Sequence, residues 1–172
     1  MEPNLPLFVI SDTHWFDQES IDVYGRPEDY NDRLVDNWNS VVGDDDIVIH
    51  LGDLVISDFS HFEELSKRLK GRKFLVKGNR DNQPDQWYEN LGFTLLHPFE
   101  LRYGNYRVSF SHRPHLQMHK HEICVHGHIH SAGVVGINER HINVCVEVRD
   151  YTPQPIEKLL TAVTKRLGDV GQ

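Results

Sequence analysis

The chain has 172 residues, of which 38% are hydrophobic and 26% are charged, as in ordinary soluble globular proteins. This length suits one domain, expected over residues 1–172, that buries about two thirds of the surface exposed by its unfolded form. The formal charge of -8 and the lack of a lysine or arginine block exclude the basic footprint of a protein that binds long duplex nucleic acid.

Two features of the sequence bear on the cellular compartment. Cys124 and Cys145 each lie within an apolar stretch, which is typical of buried free thiols in a reducing compartment, although a disulfide between them stays open. The beginning of the chain lacks a basic segment followed by a long apolar run, and no run of about 18 apolar residues occurs. We therefore expect a soluble cytoplasmic protein without a membrane anchor.

Three short apolar runs in the first half predict strands that are buried on both faces. They cover residues 7–10, 47–51 and 73–76. Amphipathic helices are predicted over residues 28–42 and about 61–69, and a loop over residues 15–27. The alternation of strands and helices favours a largely parallel sheet with right-handed crossovers. Ligand sites in such sheets lie beyond the carboxyl ends of the strands.

The second half is richer in predicted strands, and a helix with clear periodicity follows over residues 156–167. The predicted strands are residues 93–96, 100–103, 106–110, 122–125 and 141–148. Gly104 and Asn105 suit a hairpin turn between two of them. We therefore expect a second sheet that is antiparallel or mixed.

Polar side chains follow each of the first three predicted strands. Asp12 and His14 stand two residues apart, so on an extended backbone both side chains face one side and can bind one ion. Asp53 follows the second strand and adds a carboxylate able to bridge two cations. Asn79 follows the third strand and adds a neutral carbonyl oxygen.

Histidines in the second half complete this pattern, in a chain that contains 12 histidines. His112 follows a predicted strand, and His128 and His130 repeat the two-residue spacing after the next one. The predicted ligands of two divalent ions are Asp12, His14, Asp53, Asn79, His112, His128 and His130. Imidazole and carboxylate together suit manganese, which we expect first, or iron, zinc, nickel or cobalt, better than calcium or magnesium. Bound cations would let an acidic protein bind a phosphate group.

These motifs occur in a specific order along residues 7–148. The ordered set Asp12-x-His14, Gly52-Asp53, Gly78-Asn79-x-Asp81, Ser111-His112 and Gly127-His128-x-His130 resembles the calcineurin-like metallophosphoesterase superfamily, in particular its small single-domain prokaryotic and phage members. Five separate motifs in order are far more specific than any one alone. With the predicted elements, the resemblance implies an α/β fold in which two sheets form a β-sandwich flanked by helices.

The resemblance also implies a division of the ligands and a reaction. Asp12, His14, Asp53 and His130 would hold the first ion, and Asp53, Asn79, His112 and His128 the second. The expected activity is hydrolysis of a phosphodiester or a small nucleotide-type phosphoester by a hydroxide that bridges the two ions. The expected partner is therefore a small phosphoester substrate.

One position departs from the family pattern. Arg80 stands where the family usually has a histidine that assists the leaving group, and arginine cannot donate a proton near neutral pH. It can still bind phosphate through two hydrogen bonds, which predicts a preference for stabilised leaving groups. Arg80 and Asp81 are thus the candidate catalytic residues, although Asp81 also suits a role in supporting its loop. Asn79, Arg80 and His115 are the candidate substrate-binding residues.

The sequence leaves two other functions open. A metal-binding scaffold for protein partners would retain the fold with little or no catalysis, and a nuclease would act on short oligonucleotides. It also leaves open whether Tyr24 and Arg26 cover the site or lie in a solvated loop. His50 and His126 are interpreted as core histidines that orient other groups. Surface positions are expected for His97, His115, His119, His121 and His141.

Overall fold

Two β-sheets form the centre of the computed structural model, which describes residues 7–168. The first sheet contains β1 (Leu7–Ile10), β2 (Ile47–His50), β3 (Arg72–Val76), β4 (Phe93–Leu96) and β9 (Gln154–Pro155). The second contains β5 (Phe99–Tyr103), β6 (Tyr106–Ser111), β7 (Glu122–His126) and β8 (His141–Asn143). The helices are α1 (Gln18–Tyr24), α2 (Tyr30–Val41), α3 (Phe59–Ser66), α4 (Asp85–Asn90) and α5 (Ile156–Arg166).

The strand order follows from the connections between strands. The first sheet has the order β4-β3-β2-β1-β9, in which β1 to β4 are parallel and β9 is antiparallel to β1. In the second sheet β5 and β6 form an antiparallel hairpin, whereas β6, β7 and β8 are parallel. The second sheet is therefore mixed, which is one of the two arrangements that the sequence predicted. Parallel strands need long connections, and helices supply those of the first sheet.

The hydrophobic core lies on both faces of the first sheet. Phe8 and Ile10 of β1 belong to a buried cluster that includes Leu34 of α2. Val9, which points to the opposite face, belongs to a second cluster with Phe110 of β6 and with residues of α5. This alternation along one strand shows why the apolar run is continuous: one face of the sheet packs on helices and the other on the second sheet. The predicted two-sheet sandwich with flanking helices is confirmed.

Helix α1 occupies much of the segment that the sequence predicted as a loop. Asp17 caps its first turn, since its side chain accepts hydrogen bonds from the Glu19 amide (3.1 Å) and the Ser20 hydroxyl (2.6 Å). Gly25 ends the helix in the left-handed conformation, with φ at 65°. The helix is only seven residues long, so these local caps, and not periodicity, define it.

The predicted strand over residues 141–148 ends earlier than expected, at Asn143. The chain then crosses to the end of β1, where the Ser11 amide donates to the Val144 carbonyl (3.1 Å) and the Val146 amide donates to the Ser11 carbonyl (3.2 Å). A 3₁₀ helix, Val146–Val148, follows directly. The segment therefore joins the two sheets, and a longer strand in the second sheet would not make this contact.

Two observations concern the cysteines and the membrane. Cys124 and Cys145 are both buried free thiols, as predicted. None of the helices within residues 7–168 is long and apolar enough to span a bilayer. A cytoplasmic location stays a prediction.

Candidate metal centre

The carboxyl ends of strands from both sheets meet at one edge of the sandwich. The Asp12 amide donates to the Gly52 carbonyl (3.0 Å), and the His14 amide donates to the Asp53 carbonyl (3.1 Å). From the second sheet, the His128 amide donates to the Asp12 carboxylate (2.8 Å). These bonds bring the loops that carry the predicted ligands against one another.

Three of the predicted ligands form a first cluster: Asp12, His14 and His130, all buried. The Nε2 atoms of His14 and His130 each lie 3.6 Å from Oδ1 of Asp12. Two imidazole nitrogens and a carboxylate oxygen thus point at a common position. This spacing is too long for good hydrogen bonds and suits donors arranged around an ion.

The second cluster consists of Asp53, His112 and His128. Nε2 of His112 lies 3.5 Å from Oδ2 of Asp53 and 3.2 Å from Nδ1 of His128. The side-chain oxygen of Asn79 lies 3.1 Å from the same His112 nitrogen. Oδ2 of Asp53 is also 3.5 Å from Nε2 of His14 in the first cluster. Asp53 therefore lies between the clusters, and all seven predicted ligands are brought together.

Buried polar atoms without hydrogen-bond partners indicate whether these residues suit metal ions. Oδ1 of Asp12 and both ring nitrogens of His14 are buried and lack a hydrogen-bond partner. Buried polar atoms are otherwise almost always satisfied, because leaving one unpaired costs about 1–3 kcal/mol. An ion bound by Oδ1 of Asp12 and Nε2 of His14 would remove that cost for these two atoms. The donor set therefore fits divalent ions.

The carboxylate of Asp12 is held so that one oxygen faces the centre. Its Oδ2 accepts hydrogen bonds from the Ser11 hydroxyl (2.6 Å), the His128 amide (2.8 Å) and the Cys145 thiol (3.2 Å). These three donors leave Oδ1 as the available ligand atom. The buried thiol thus supports a ligand.

Two of the histidine rings are oriented by acceptors behind them. Nδ1 of His112 donates to the Leu51 carbonyl (2.8 Å), and Nδ1 of His130 donates to the Glu147 carboxylate (2.9 Å). In each ring this assigns the proton to Nδ1, so Nε2 faces the centre with a free lone pair.

Asp81 supports the loops that carry the ligands. Its buried carboxylate accepts hydrogen bonds from the amides of Asp53 (2.7 Å), Leu54 (2.9 Å) and Gly78 (2.7 Å). Burial raises the pKa of Asp81 above its ordinary value, although these amides oppose the shift. Both oxygens are occupied by backbone donors, which agrees with the supporting role and not with proton transfer.

The centre has unusual protonation equilibria in the metal-free state. Burial alone would raise the pKa of Asp12, but the surrounding imidazoles of His14, His112 and His130 bring it below its ordinary value. Burial alone would lower the pKa of His14, but its contacts with Asp12 and Asp53 raise it to about 9. A proton and a metal ion therefore compete for the His14 ring.

Backbone strain is concentrated at the ligands. Among the described residues, five predicted ligands adopt left-handed φ angles: Asp12 (58°), His14 (44°), Asp53 (55°), His128 (70°) and His130 (48°). Each such residue costs on the order of 1–3 kcal/mol, and conformations of this kind cluster at functional sites. The strained backbone thus costs stability and orients these side chains toward the two clusters.

A small cleft of about 110 Å³ opens onto both clusters. It is lined by His14, Asp17, Glu19, Tyr24, Asp53, Asn79, Arg80, His128 and His130. Arg80 is exposed at its edge, where the guanidinium lies 3.9 Å from the Glu19 carboxylate. Asn79 and Arg80 therefore both line this cleft.

The prediction that His115 binds substrate finds no support. Its side chain is exposed and borders a different cavity, together with Arg107, Ser109 and His119. His112 directly follows the last residue of β6, whereas His115 comes three residues later, after Pro114. Closeness in sequence to a ligand was therefore a poor guide to position.

The structure decides the positions of two further residues. Arg26, for which the sequence left a cover over the site and a solvated loop both open, is 2% exposed and contacts Glu147 behind His130. His141 is buried and not on the surface, since its Nε2 donates to the His115 carbonyl (2.8 Å). No local pattern distinguishes these residues, because their partners are distant in sequence.

His50 is a core histidine, as predicted. The Gly52 amide donates to its Nδ1 (3.1 Å), so Nε2 carries the proton and donates to the Thr13 hydroxyl (3.0 Å). That hydroxyl donates in turn to the Leu54 carbonyl (2.7 Å). Burial lowers the pKa of His50 to about 3. The neutral ring therefore links the loops that follow β1 and β2.

Comparison with known proteins identifies the fold and the family. A protein of Methanocaldococcus jannaschii that is described as uncharacterized is 29% identical over 174 residues, which covers 92% of each chain. The crystal structure of the protein of unknown function AQ665 from Aquifex aeolicus has the same fold, with a TM-score of 0.75 at 24% identity, and covers 92% of this chain and 100% of that chain. The model of the calcineurin-like phosphoesterase family matches residues 5–162. The chain therefore belongs to the calcineurin-like phosphoesterase family.

Proposed function

We propose that this protein hydrolyses a small phosphoester at a centre of two divalent metal ions. The observation that carries the proposal is the position of Asp53, whose Oδ2 lies 3.5 Å from a histidine nitrogen of each cluster. A carboxylate between two sets of donors is what a pair of neighbouring ions requires. Membership of a phosphoesterase family supports the reaction type.

Each of the two clusters that meet at Asp53 would hold one ion. The first cluster and Asp53 supply two carboxylates and two imidazoles, and the second cluster and Asn79 supply one carboxylate, one amide oxygen and two imidazoles. This mixture suits manganese, with iron, zinc, nickel or cobalt as alternatives. Two such ions lower the pKa of water, neutralise phosphoryl oxygens and orient in-line attack.

The remaining residues at the cleft would bind and orient the substrate. The Arg80 guanidinium can make two hydrogen bonds to phosphoryl oxygens, once it leaves its long contact with Glu19. The Asn79 side chain lies beside it at the second cluster. Asp81 acts indirectly, because it fixes the backbone of the loops that carry Asp53 and Asn79.

The size of the cleft suits the phosphoryl group of an ester. Its volume of about 110 Å³ is well below the roughly 300–1,000 Å³ of sites that enclose drug-sized ligands. It would enclose a phosphoryl group and leave the organic groups outside. A phosphodiester or a small nucleotide-type ester is the substrate class that we propose.

The test is hydrolysis of bis-p-nitrophenyl phosphate and p-nitrophenyl phosphate by metal-stripped protein that is refilled with Mn²⁺. We expect turnover that depends on the metal and is lost in Asp53→Asn, because that substitution removes the shared carboxylate. Asp45→Asn, in an exposed turn, is the matched control and should behave like the wild type. The ratio of diester to monoester turnover would define the substrate class.

The other outcomes separate the alternative functions. Absence of metal binding would overturn the proposal. Two bound ions without turnover of any phosphoester would favour a scaffold for protein partners. Cleavage of short single-stranded oligonucleotides without turnover of the small esters would favour a nuclease.

A further inference from the structure

Behind His130 lies a buried ion pair that the proposed reaction does not use directly. Oε1 of Glu147 accepts hydrogen bonds from Nδ1 of His130 (2.9 Å) and from Nε (2.9 Å) and Nη2 (2.5 Å) of Arg26. The side chains of Arg26 and Glu147 are 0% and 5% exposed. The pair is therefore removed from solvent and directly connected to a predicted ligand.

Arg26 connects this pair to the loop that carries the other ligands of the first cluster. Its Nη1 donates to the Thr13 carbonyl (2.5 Å), and its Nη2 donates to the Asp12 carbonyl (2.6 Å). The guanidinium thus holds the backbone of Asp12 and, through Glu147, the ring of His130. Ligands from two different sheets are fixed relative to each other by one side chain.

Tyr24 contacts the face of the His130 imidazole. The Tyr24 ring stacks on the His130 ring, with centroids 3.9 Å apart and planes inclined by 7°. Tyr24 and Arg26 lie on the short segment that ends α1. This segment therefore contacts the His130 ring directly and, through Glu147, its Nδ1 edge.

Stability does not account for the buried pair. Removing two charges from water costs several kcal/mol per ion, and apolar replacements for such pairs are often neutral or stabilising. A carboxylate behind a histidine ligand, in contrast, fixes the ring and increases the basicity of the nitrogen that faces the metal. The ring of His112 has only the neutral Leu51 carbonyl behind it. Of these two rings, only that of His130, in the first cluster, has a charged acceptor behind it.

We propose that Glu147, held in place by Arg26, is a positioning residue for His130 and strengthens metal binding at the first cluster. This inference rests on the two-ion centre of the proposed function. The carboxylate fixes the ring so that Nε2 points toward Oδ1 of Asp12, 3.6 Å away. Loss of the charge would weaken one ion site and leave the other intact.

The test compares Zn²⁺ binding by the wild type and by Glu147→Gln in competition with a chromophoric chelator. We expect one of the two ions to bind roughly 10–100-fold more weakly in the variant, as for other carboxylates behind metal-bound histidines. Affinity for the other ion should stay close to that of the wild type. Glu122→Gln is the matched control, since Glu122 pairs with Arg107, away from the centre.

Nitrogen-15 NMR of the histidine rings in the zinc-loaded protein adds a readout that a purely structural role would not change. We expect the Nδ1 proton of His130 to be slow to exchange in the wild type and to exchange faster in Glu147→Gln, while that of His112 is unchanged. If Glu147→Gln does not fold, Arg26→Lys serves instead, because lysine keeps a charge but cannot make the four hydrogen bonds of the guanidinium.

Each outcome has a definite meaning. Wild-type affinities in the folded variant, or equal weakening of both ions, would overturn the role of Glu147. A wild-type protein that binds fewer than two zinc ions would instead contradict the proposed two-ion centre, before any variant is considered.

Discussion

The substitution Gly127→Ala should damage the centre without replacing any of the predicted ligands. Gly127 precedes His128, and its amide donates to the His112 carbonyl (2.9 Å). A Cβ atom at this position would overlap the Ser11 hydroxyl and the Asp12 carboxylate, and it would lie 2.7 Å from Cβ of Ser11. One methyl group therefore has to displace Asp12 or the loop that carries His128.

The expected magnitude follows from the cost of inserting atoms into a packed interior, which is about 1–3 kcal/mol. For a chain of this size that corresponds to a fall in Tm of roughly 2–12 °C. The stabilisation added by bound metal should shrink as well, because it depends on the concentration of the ion relative to its dissociation constant. Thermal unfolding, recorded with and without Mn²⁺, measures both effects.

Gly133→Ala is the matched control, because a Cβ atom there would meet nothing within 4 Å. It lies in the same loop region as His130 and should unfold like the wild type in both conditions. A Gly127→Ala protein with the Tm of Gly133→Ala to within about 1 °C, and with the same gain on adding metal, would refute the reasoning.

Three further predictions concern single side chains. Burial lowers the pKa of His50 from 6.5 to about 3, so the unfolded chain takes up a proton that the folded ring refuses, and stability is lost as the pH falls below 6.5. Between about pH 6 and pH 4, metal-free wild type should lose a little over 1 kcal/mol per pH unit relative to His50→Gln in urea unfolding, and parallel curves would contradict this. Arg80→His should accelerate hydrolysis of esters with poor leaving groups more than of those with good ones; equal effects in a leaving-group series would show that Arg80 does not limit acid catalysis. Asp81→Asn leaves a backbone amide facing the new NH₂ group, so the metal-free protein should lose about 1–3 kcal/mol of stability, whereas wild-type stability with lost activity would indicate a catalytic role instead.

The strands and ligands were predictable because their signals are local. The continuous apolar run of β1 identifies a strand buried on both faces, and Asp12 follows it at the edge where parallel sheets bind ligands. The same pattern holds before Asp53 and Asn79. Strand position and residue type together were sufficient to predict that these seven side chains lie at one edge of the sandwich.

The supporting residues were not predictable, because their roles depend on contacts between distant parts of the chain. Arg26 and Glu147 are charged residues of a kind that is mostly exposed, and nothing near either one indicates burial. The early end of β8 has a similar origin, since pairing with Ser11 outweighs continued pairing within the second sheet. In these cases tertiary contacts override the local pattern.

Both clusters contain residues from both sheets, which has a mechanical consequence. Each cluster combines residues that follow strands of the first sheet with residues that follow strands of the second. Each ion would therefore act as a cross-link between the two sheets of the sandwich. The segments that it joins lie far apart in the chain, and links that close long loops are expected to stabilise the folded state most. Metal uptake should thus protect the amides of β1 and β7 from hydrogen exchange together, so that the two sheets open as one unit.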